Sequence, residues 1–195
     1  MTEQDLFLAA DKQMKKIINQ IKEDDWDKQM PEGVSARRPD IKLRELINNH
    51  AYDEAWVPDV LAGKTAGEVG DKYDGDLLKE DPKGNYNKIF EAAQKAVERL
   101  DDPERTVHLS YGDYKAKEYL NHISTYRSFQ AWQVGKFIGV NADLPSDVVE
   151  GLWEHVMPQV ESLRQMGVFS PEVNIDETAS SHDKLLAKAG YDPKS

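Results

Sequence analysis

Apolar side chains recur at three- and four-residue steps along most of this chain, the spacing that places them on one face of an α-helix. Four such stripes predict long helices over residues 3–23, 41–63, 85–100 and 114–138. Asp40 directly precedes the second stripe and is predicted to cap that helix, with Ser35 as the alternative cap. The local structure is therefore predicted to be mainly helical.

The last third of the chain carries a fifth apolar stripe and a shorter sixth one. The fifth begins after Ser146, its predicted cap, and ends at Gly167. Pro158 lies inside this stripe and predicts a kink in the helix, because proline removes a backbone donor and clashes with the preceding turn. The sixth stripe predicts a short final helix over residues 182–189.

Two segments between the stripes break the helical period. Residues 63–85 hold five glycines and many aspartates, which is typical of a long polar connection with room for one short helical turn. Residues 105–110 alternate in polarity and predict a short extended segment, followed by a turn at residues 112–113. The whole pattern predicts one all-α domain over residues 1–195, a bundle of four or five long helices with a long crossover.

Composition and charge exclude several kinds of site. The chain has no cysteine, so thiolate metal sites, iron–sulfur clusters, disulfides and a cysteine nucleophile are all excluded. Its 36 acidic and 25 basic residues give a net charge of −11, and such a surface repels phosphate backbones and anionic lipid head groups. Nucleic acids and membranes are therefore not expected as partners. The polar, acidic start of the chain predicts no signal peptide, and a cytoplasmic location is expected.

The candidate chemistry lies on the second and fourth predicted helices. His50 continues the apolar face of the second helix, and Glu54 follows one turn later on the same side. The fourth helix carries a polar stripe made of Glu118, His122, Tyr126 and Gln130, with Gln133 close to it. Residues four apart on a helix are neighbours that can share a metal ion or a hydrogen-bond network. The alternative is a solvated helix face beside a satisfied core histidine.

The other three histidines are predicted to be surface or structural side chains; they are His108, His155 and His182. The fifth stripe, with Leu152 and Trp153 among its predicted buried residues, is broad enough to serve a contact between two copies of the chain. It predicts a homodimer, with intramolecular packing of the same helix as the alternative.

A series of short motifs extends over nearly the whole chain. They are LRELINNH (residues 43–50), WVPDVLAGKT (56–65), EVG (68–70), DGDLL (74–78), RTVHL (105–109), GD (112–113), EYL (118–120), AWQV (131–134), Gly139, DLP (143–145), GVF (167–169) and DKLL (183–186). In order and spacing they resemble the DinB-like helical bundles, in the branch of the metal-binding N-terminal domain of mycothiol-dependent maleylpyruvate isomerase. The resemblance implies a four-helix bundle with a long crossover between its second and third helices.

The resemblance also implies one divalent metal ion, zinc or nickel. Its ligands would be a histidine of the second helix and a carboxylate-x-x-x-histidine pair of the fourth helix. His50 matches the first ligand, whereas Tyr126 and Gln130 stand at the positions of the pair, and Gln133 stands where the family has a following aspartate. A neutral phenol and an amide are poor ligands for zinc, so the sequence keeps one ligand of three.

Glu118 and His122 reproduce the spacing of the missing pair two turns earlier, about 12 Å along the helix axis. They would serve a metal only in a displaced site that also has His50 or Glu54 at the same level. The conventional and the displaced site are therefore alternatives at this stage.

Two functions follow from this pattern. The first is a small-ligand-binding or metal-free relative with a degraded metal site, in which metal is substoichiometric or absent. In it, His50, Tyr126 and Gln130 are expected to form a hydrogen-bonded cluster in place of the metal. The alternative is a divalent-metal-dependent transferase or isomerase that uses a low-molecular-weight thiol such as mycothiol or bacillithiol.

Overall fold

The computed structural model describes residues 1–34, 38 and 40–194, so the alternative cap Ser35 lies outside the described residues. The chain is mostly helical, with one small antiparallel hairpin. The elements in chain order are α1 (Glu3–Ile18), α2 (Leu43–Leu61), α3 (Ala66–Val69), α4 (Pro82–Glu98), β1 (Thr106–Leu109), β2 (Gly112–Lys115), α5 (Ala116–Phe137), α6 (Ser146–His155), α7 (Val160–Gln165) and α8 (Ser181–Lys188).

The four long helices α1, α2, α4 and α5 pack in pairs. α1 lies along α5 and α2 lies along α4, and α1 also contacts α4. The predicted apolar stripes form the core between them, with Phe7 and Met14 of α1 and Leu46 of α2 fully buried. Removing such side chains from water stabilises the fold by roughly 25 cal/mol per Å² of apolar surface.

Side-chain caps fix where these helices begin. Thr2 and Asp5 form a reciprocal capping box at the start of α1. At α2 the side chain of Glu45 accepts a hydrogen bond from the backbone N–H of Lys42 at 2.9 Å, so α2 begins at Leu43 and the prediction of Asp40 as its cap is wrong. The start of α2 differs from the predicted one because a glutamate three residues into a helix can satisfy the N-terminal backbone donors.

The end of α1 and the start of α4 also differ from their predicted positions. α1 ends at Ile18, and a 3₁₀ turn at Glu23–Asp25 follows after a short gap, although Ile21 between them stays buried. α4 begins at Pro82 rather than three residues later, because the side chain of Asp81 accepts from the N–H of Gly84 at 3.0 Å. A proline in the first turn needs no hydrogen-bond partner for its nitrogen, which suits this start.

The connection from α2 to α4 contains one helical turn, α3, as expected. It is held to α2 through Asp59, which accepts from Lys64 at 2.7 Å, Lys72 at 2.8 Å and the hydroxyl of Tyr73 at 2.7 Å. Burial alone would raise the pKa of Asp59, but these three donors hold it well below its usual range. The long loop is therefore fixed against the helix.

The hairpin departs from the predicted all-α class. β1 confirms the extended segment, but residues 112–115 form a second strand, with Val107 opposite Tyr114. The predicted turn at residues 112–113 is wrong, because the turn lies at Ser110 and Tyr111 between the strands. Gly112 has a φ of +141°, a conformation that glycine adopts without strain, and it lets the chain pair immediately after the turn.

Of the C-terminal helices, α6 packs against α1 and α5, and α8 packs against α6. Pro158 interrupts the fifth predicted helix as expected, and a 3₁₀ turn at Met157–Gln159 separates α6 from α7. Ser146 is the first helical residue and not the cap, a position that Pro145 occupies. Trp153, predicted to be buried, is 37% exposed because it faces away from the apolar side of α6 that holds Leu152. Within the described ranges, no helix combines the length and apolar character needed to cross a membrane.

Candidate functional site

One face of α5 forms the floor of a cleft with a volume of about 530 Å³. The predicted polar stripe lies on this floor: Glu118, His122, Tyr126 and Gln130 all line the cleft. The stripe therefore lies in a concave part of the surface, where Glu118 and Tyr126 stay exposed and Gln130 is buried. The volume falls in the range of about 300–1,000 Å³ that is common for small-molecule sites.

The opposite wall comes from the C-terminal part of the chain and is largely apolar. Its apolar members are Val156, Leu163, Met166, Val168, Phe169 and Tyr191. The ring of Phe129 on α5 stacks on Tyr191 at 5.1 Å between ring centres and meets the edge-on ring of Phe169 at 5.5 Å. Gly190 permits this closure, since a Cβ at that position would lie 2.7 Å from Ser170.

The hairpin closes the other end of the cleft with two tyrosines. Tyr111 lies 5.4 Å from Tyr114 between ring centres, and Tyr114 lies edge-on to His122 at 5.0 Å. The hydroxyl of Tyr111 is 3.3 Å from Nδ1 of His122. Burial lowers the pKa of His122, against the opposing effect of Glu118, so its ring is neutral at neutral pH. Glu118 accepts from the N–H of Lys115 at 2.7 Å and so caps α5.

The cleft gathers most of the exposed large apolar side chains. Of the six such side chains in the described part of the structure, four line it. They are Tyr111 at 59% exposure, Tyr126 at 39%, Met166 at 71% and Val168 at 51%. A concentration of exposed apolar side chains of this kind is typical of a binding site.

His50 lies directly behind the floor, fully buried. Its ring stacks on that of Tyr126 with 4.7 Å between ring centres and 24° between planes. Burial and the nearby charge of Arg127 lower the pKa of His50 to about 3, against a smaller opposing effect of Gln130, so the ring is neutral. Among the side chains that the structure describes, none forms a hydrogen bond of good geometry with either ring nitrogen. Ring stacking thus replaces the expected hydrogen bond from Tyr126.

The side-chain nitrogen of Gln130 binds groups other than His50. Its Nε2 donates to the backbone carbonyl of Val34 at 3.0 Å and to Oε1 of Gln133 at 2.8 Å. His50 and Tyr126 are in contact, but they interact through their rings and not through the predicted hydrogen bond. Gln133 supports Gln130 and is not itself a lining residue of the cleft.

A buried charge cluster lies deeper still, with one side chain from each of the four long helices. Nη1 of Arg127 on α5 is 3.3 Å from Oδ1 of Asp11 on α1, and Nη2 of Arg127 pairs with Oε2 of Glu54 on α2. Gln94 on α4 donates to Oδ2 of Asp11 at 2.8 Å. The candidate residue Glu54 therefore lies in this cluster and does not line the cleft.

The two carboxyl groups of this cluster face a single guanidinium group. Burial raises the pKa of both Asp11 and Glu54, although the charge of Arg127 opposes the shift, and the two groups lie within hydrogen-bonding reach of each other. Burial therefore favours the protonated form of each carboxyl group, and the guanidinium charge of Arg127 favours the ionised form.

Sequence analysis missed Asp11, Gln94 and Arg127, although a signal was present. Asp11 lies four residues after Phe7 and three before Met14, inside the apolar stripe of α1. A charged residue at a core position of a stripe must find a partner, because an unpaired buried charge is strongly unfavourable. Such interruptions of the stripes on three helices would have predicted a buried network.

The residues present do not fit a zinc or nickel ion. Across the described residues, no group of three histidine, cysteine or carboxylate side chains is placed to hold a metal ion. At the conventional site, the ring of His50 stacks on Tyr126, and neither Tyr126 nor the amide of Gln130 is a good ligand for zinc. At the displaced site, Glu118 is engaged in capping α5.

Comparisons with protein-family models, with curated proteins and with solved structures return no match. The DinB-like resemblance therefore rests on the sequence motifs alone. The function has to be argued from the cleft and the groups around it.

Proposed function

We propose that this chain binds a small molecule in the cleft on α5. The observation that carries the proposal is the concentration of exposed apolar side chains there, four of the six in the described part. Exposed apolar surface is unfavourable by roughly 25 cal/mol per Å², and a ligand that covers it recovers this free energy. The polar groups of the floor, such as His122 and Gln130, would orient the ligand.

The proposal includes a fold assignment, a DinB-like four-helix bundle. Its helices are α1, α2, α4 and α5, and its long crossover is the connection from α2 to α4. The pairing of α1 with α5 and of α2 with α4 supports it. So does the contact of His50 with Tyr126, because the motif register places these two residues at neighbouring ligand positions.

In this proposal the metal site of the resembled family is degraded, and binding replaces catalysis. The alternative, a metal-dependent transferase or isomerase that uses a low-molecular-weight thiol, needs a metal ion that the described side chains do not fit. A buried neutral histidine stacked on a tyrosine supports a ligand-binding floor more than a metal centre.

A dye that fluoresces in apolar surroundings tests the proposal. We expect the uncharged dye Nile red to bind the protein at one saturable site. Ser162 lies exposed on α7 and lines the cleft, so Ser162→Trp places a large ring in the cleft and should weaken binding strongly. Gln165→Trp adds the same ring to an exposed position of α7 outside the cleft and should leave binding unchanged. Equal binding by the two variants would contradict the proposal.

A further inference from the structure

We propose that the cleft selects an organic cation, with an ammonium head group at the Tyr111 end and an apolar tail at the Phe129 end. The inference rests on the proposed function and adds the chemical class of the ligand. Three independent features of the cleft support it: the signs of its charges, the aromatic faces of the hairpin end, and the kind of polar atom that the floor leaves without a partner.

The charges around the cleft favour a cation. Glu118 is a carboxylate at the rim, and among the described lining residues there is no lysine or arginine to pair with an anion. The net charge of −11 adds a field of the same sign.

The hairpin end offers π faces to a positive group. The rings of Tyr111, Tyr114 and His122 lie within 5.0–6.0 Å of one another, and Tyr111 is 59% exposed. A cation over a tyrosine ring gains about 0.5–2 kcal/mol, and quaternary ammonium groups are bound in this way because they combine charge with apolar methyl groups. His122 is neutral there, so it does not repel such a group.

One buried acceptor in the floor has no hydrogen-bond donor. Asn121 Oδ1 belongs to a residue that lines the cleft, is an acceptor, and is buried without a hydrogen-bond partner among the described residues. An N–H group of the ligand satisfies it after a small rotation of the amide. Beyond it, Phe129 and Phe169 provide an apolar surface for a tail.

Three probes with the same tail separate charge from apolar binding: octylammonium, octanol and octyl sulfate. Each is titrated against protein-bound Nile red at physiological salt, which screens the general attraction of an acidic protein for cations. We expect the cation to displace the dye at about tenfold lower concentration than octanol, the ratio that cation–π and charge interactions of this size produce. Octyl sulfate should be the weakest.

Variants at the hairpin end assign the preference to named side chains. Tyr111→Leu keeps the apolar bulk but removes the π face, and it should weaken the cation several-fold while octanol changes less than about twofold. Tyr111→Phe keeps the face and should retain the preference. Glu118→Gln removes the charge, keeps a side chain that can cap α5, and should also reduce the preference. Tyr52→Leu, which changes a tyrosine outside the cleft, is the matched control.

The outcomes separate the two proposals. If octanol and the cation displace the dye equally, or octyl sulfate is strongest, the cation inference is wrong and the binding function stands. If none of the three probes displaces the dye, and the dye binds Ser162→Trp as it binds the parent, the binding function fails as well. A preference that persists unchanged in both Tyr111→Leu and Glu118→Gln also overturns the inference, because the cation then binds elsewhere.

Discussion

The guanidinium group of Arg127 forms an ion pair with the carboxyl group of Glu54 in the interior of the helical core, where neither side chain meets solvent. Removing two charged groups from water is unfavourable, and their attraction offsets this only when the geometry is close. Here Asp11 and Gln94 complete the arrangement and join all four long helices at one point. Removing any one of these side chains therefore leaves another buried polar group without its partner.

Replacing Arg127 with methionine should destabilise the fold strongly. The substitution keeps the bulk of the side chain but leaves two buried carboxyl groups without their cation, and breaking such a pair typically lowers the free energy of unfolding by about 3–5 kcal/mol. Urea unfolding of the variant and the parent measures the loss. Adding Asp11→Asn and Glu54→Gln to Arg127→Met removes the orphaned acids and should restore much of it. A loss below about 1 kcal/mol for the single variant would contradict the cluster.

The raised pKa of Glu54 predicts a loss of stability as the pH rises. The folded state keeps a proton that the unfolded chain releases near the ordinary carboxyl pKa of 4.5. The contribution is therefore complete below that pH and is lost as the pH climbs towards the pKa of the folded state. Glu54→Gln cannot release this proton, so its unfolding free energy should fall less between mildly acidic and alkaline pH. Parallel slopes for parent and variant would show that the folded state does not raise the pKa of Glu54.

The lowered pKa of His50 predicts the opposite pH dependence, a loss of stability as the pH falls. The folded state holds the ring neutral down to about pH 3, whereas the unfolded chain takes up a proton near 6.5. The stability is thus complete above pH 6.5 and is lost as the pH falls from there towards the pKa of the folded state. His50→Phe keeps the stacking on Tyr126 and should flatten this acid slope. Glu54→Gln is the cross-control, since it should change the alkaline slope and leave the contribution of His50 in place.

Metal analysis tests the degraded site. We expect untagged protein to carry zinc or nickel well below one equivalent, because Tyr126 and Gln130 replace two ligands. Tyr126→Asp with Gln130→His restores the carboxylate-x-x-x-histidine pair opposite His50, whose ring lies 4.7 Å from that of Tyr126. Zinc uptake, measured by elemental analysis after dialysis, should rise in this double variant and be lost again when His50→Ala is added. No rise would show that the register taken from the resemblance is wrong.

The periodicity of the sequence predicted most of the helices, because apolar stripes have to face a core wherever they occur. Pro158 also acted as its covalent geometry requires. The second strand was missed because Gly112 and Asp113 read locally as a turn, and their pairing with β1 depends on the neighbouring strand. Local sequence patterns could not predict the cleft for a similar reason. Its wall at Phe169 and Tyr191 is distant in sequence from its floor at Tyr126.

The four-helix charge cluster also restricts the routes by which this sequence can change over evolutionary time. An apolar core in place of Arg127, Asp11 and Glu54 could be as stable as the present one, yet every single-step replacement on the way leaves a buried group without its counterpart. Drift within the cluster is thus confined to coordinated replacements, whereas the rim of the cleft, with exposed positions such as Met166 and Val168, is free to vary one residue at a time. The surface around the cleft can therefore diversify among descendants of this chain while its interior stays unchanged.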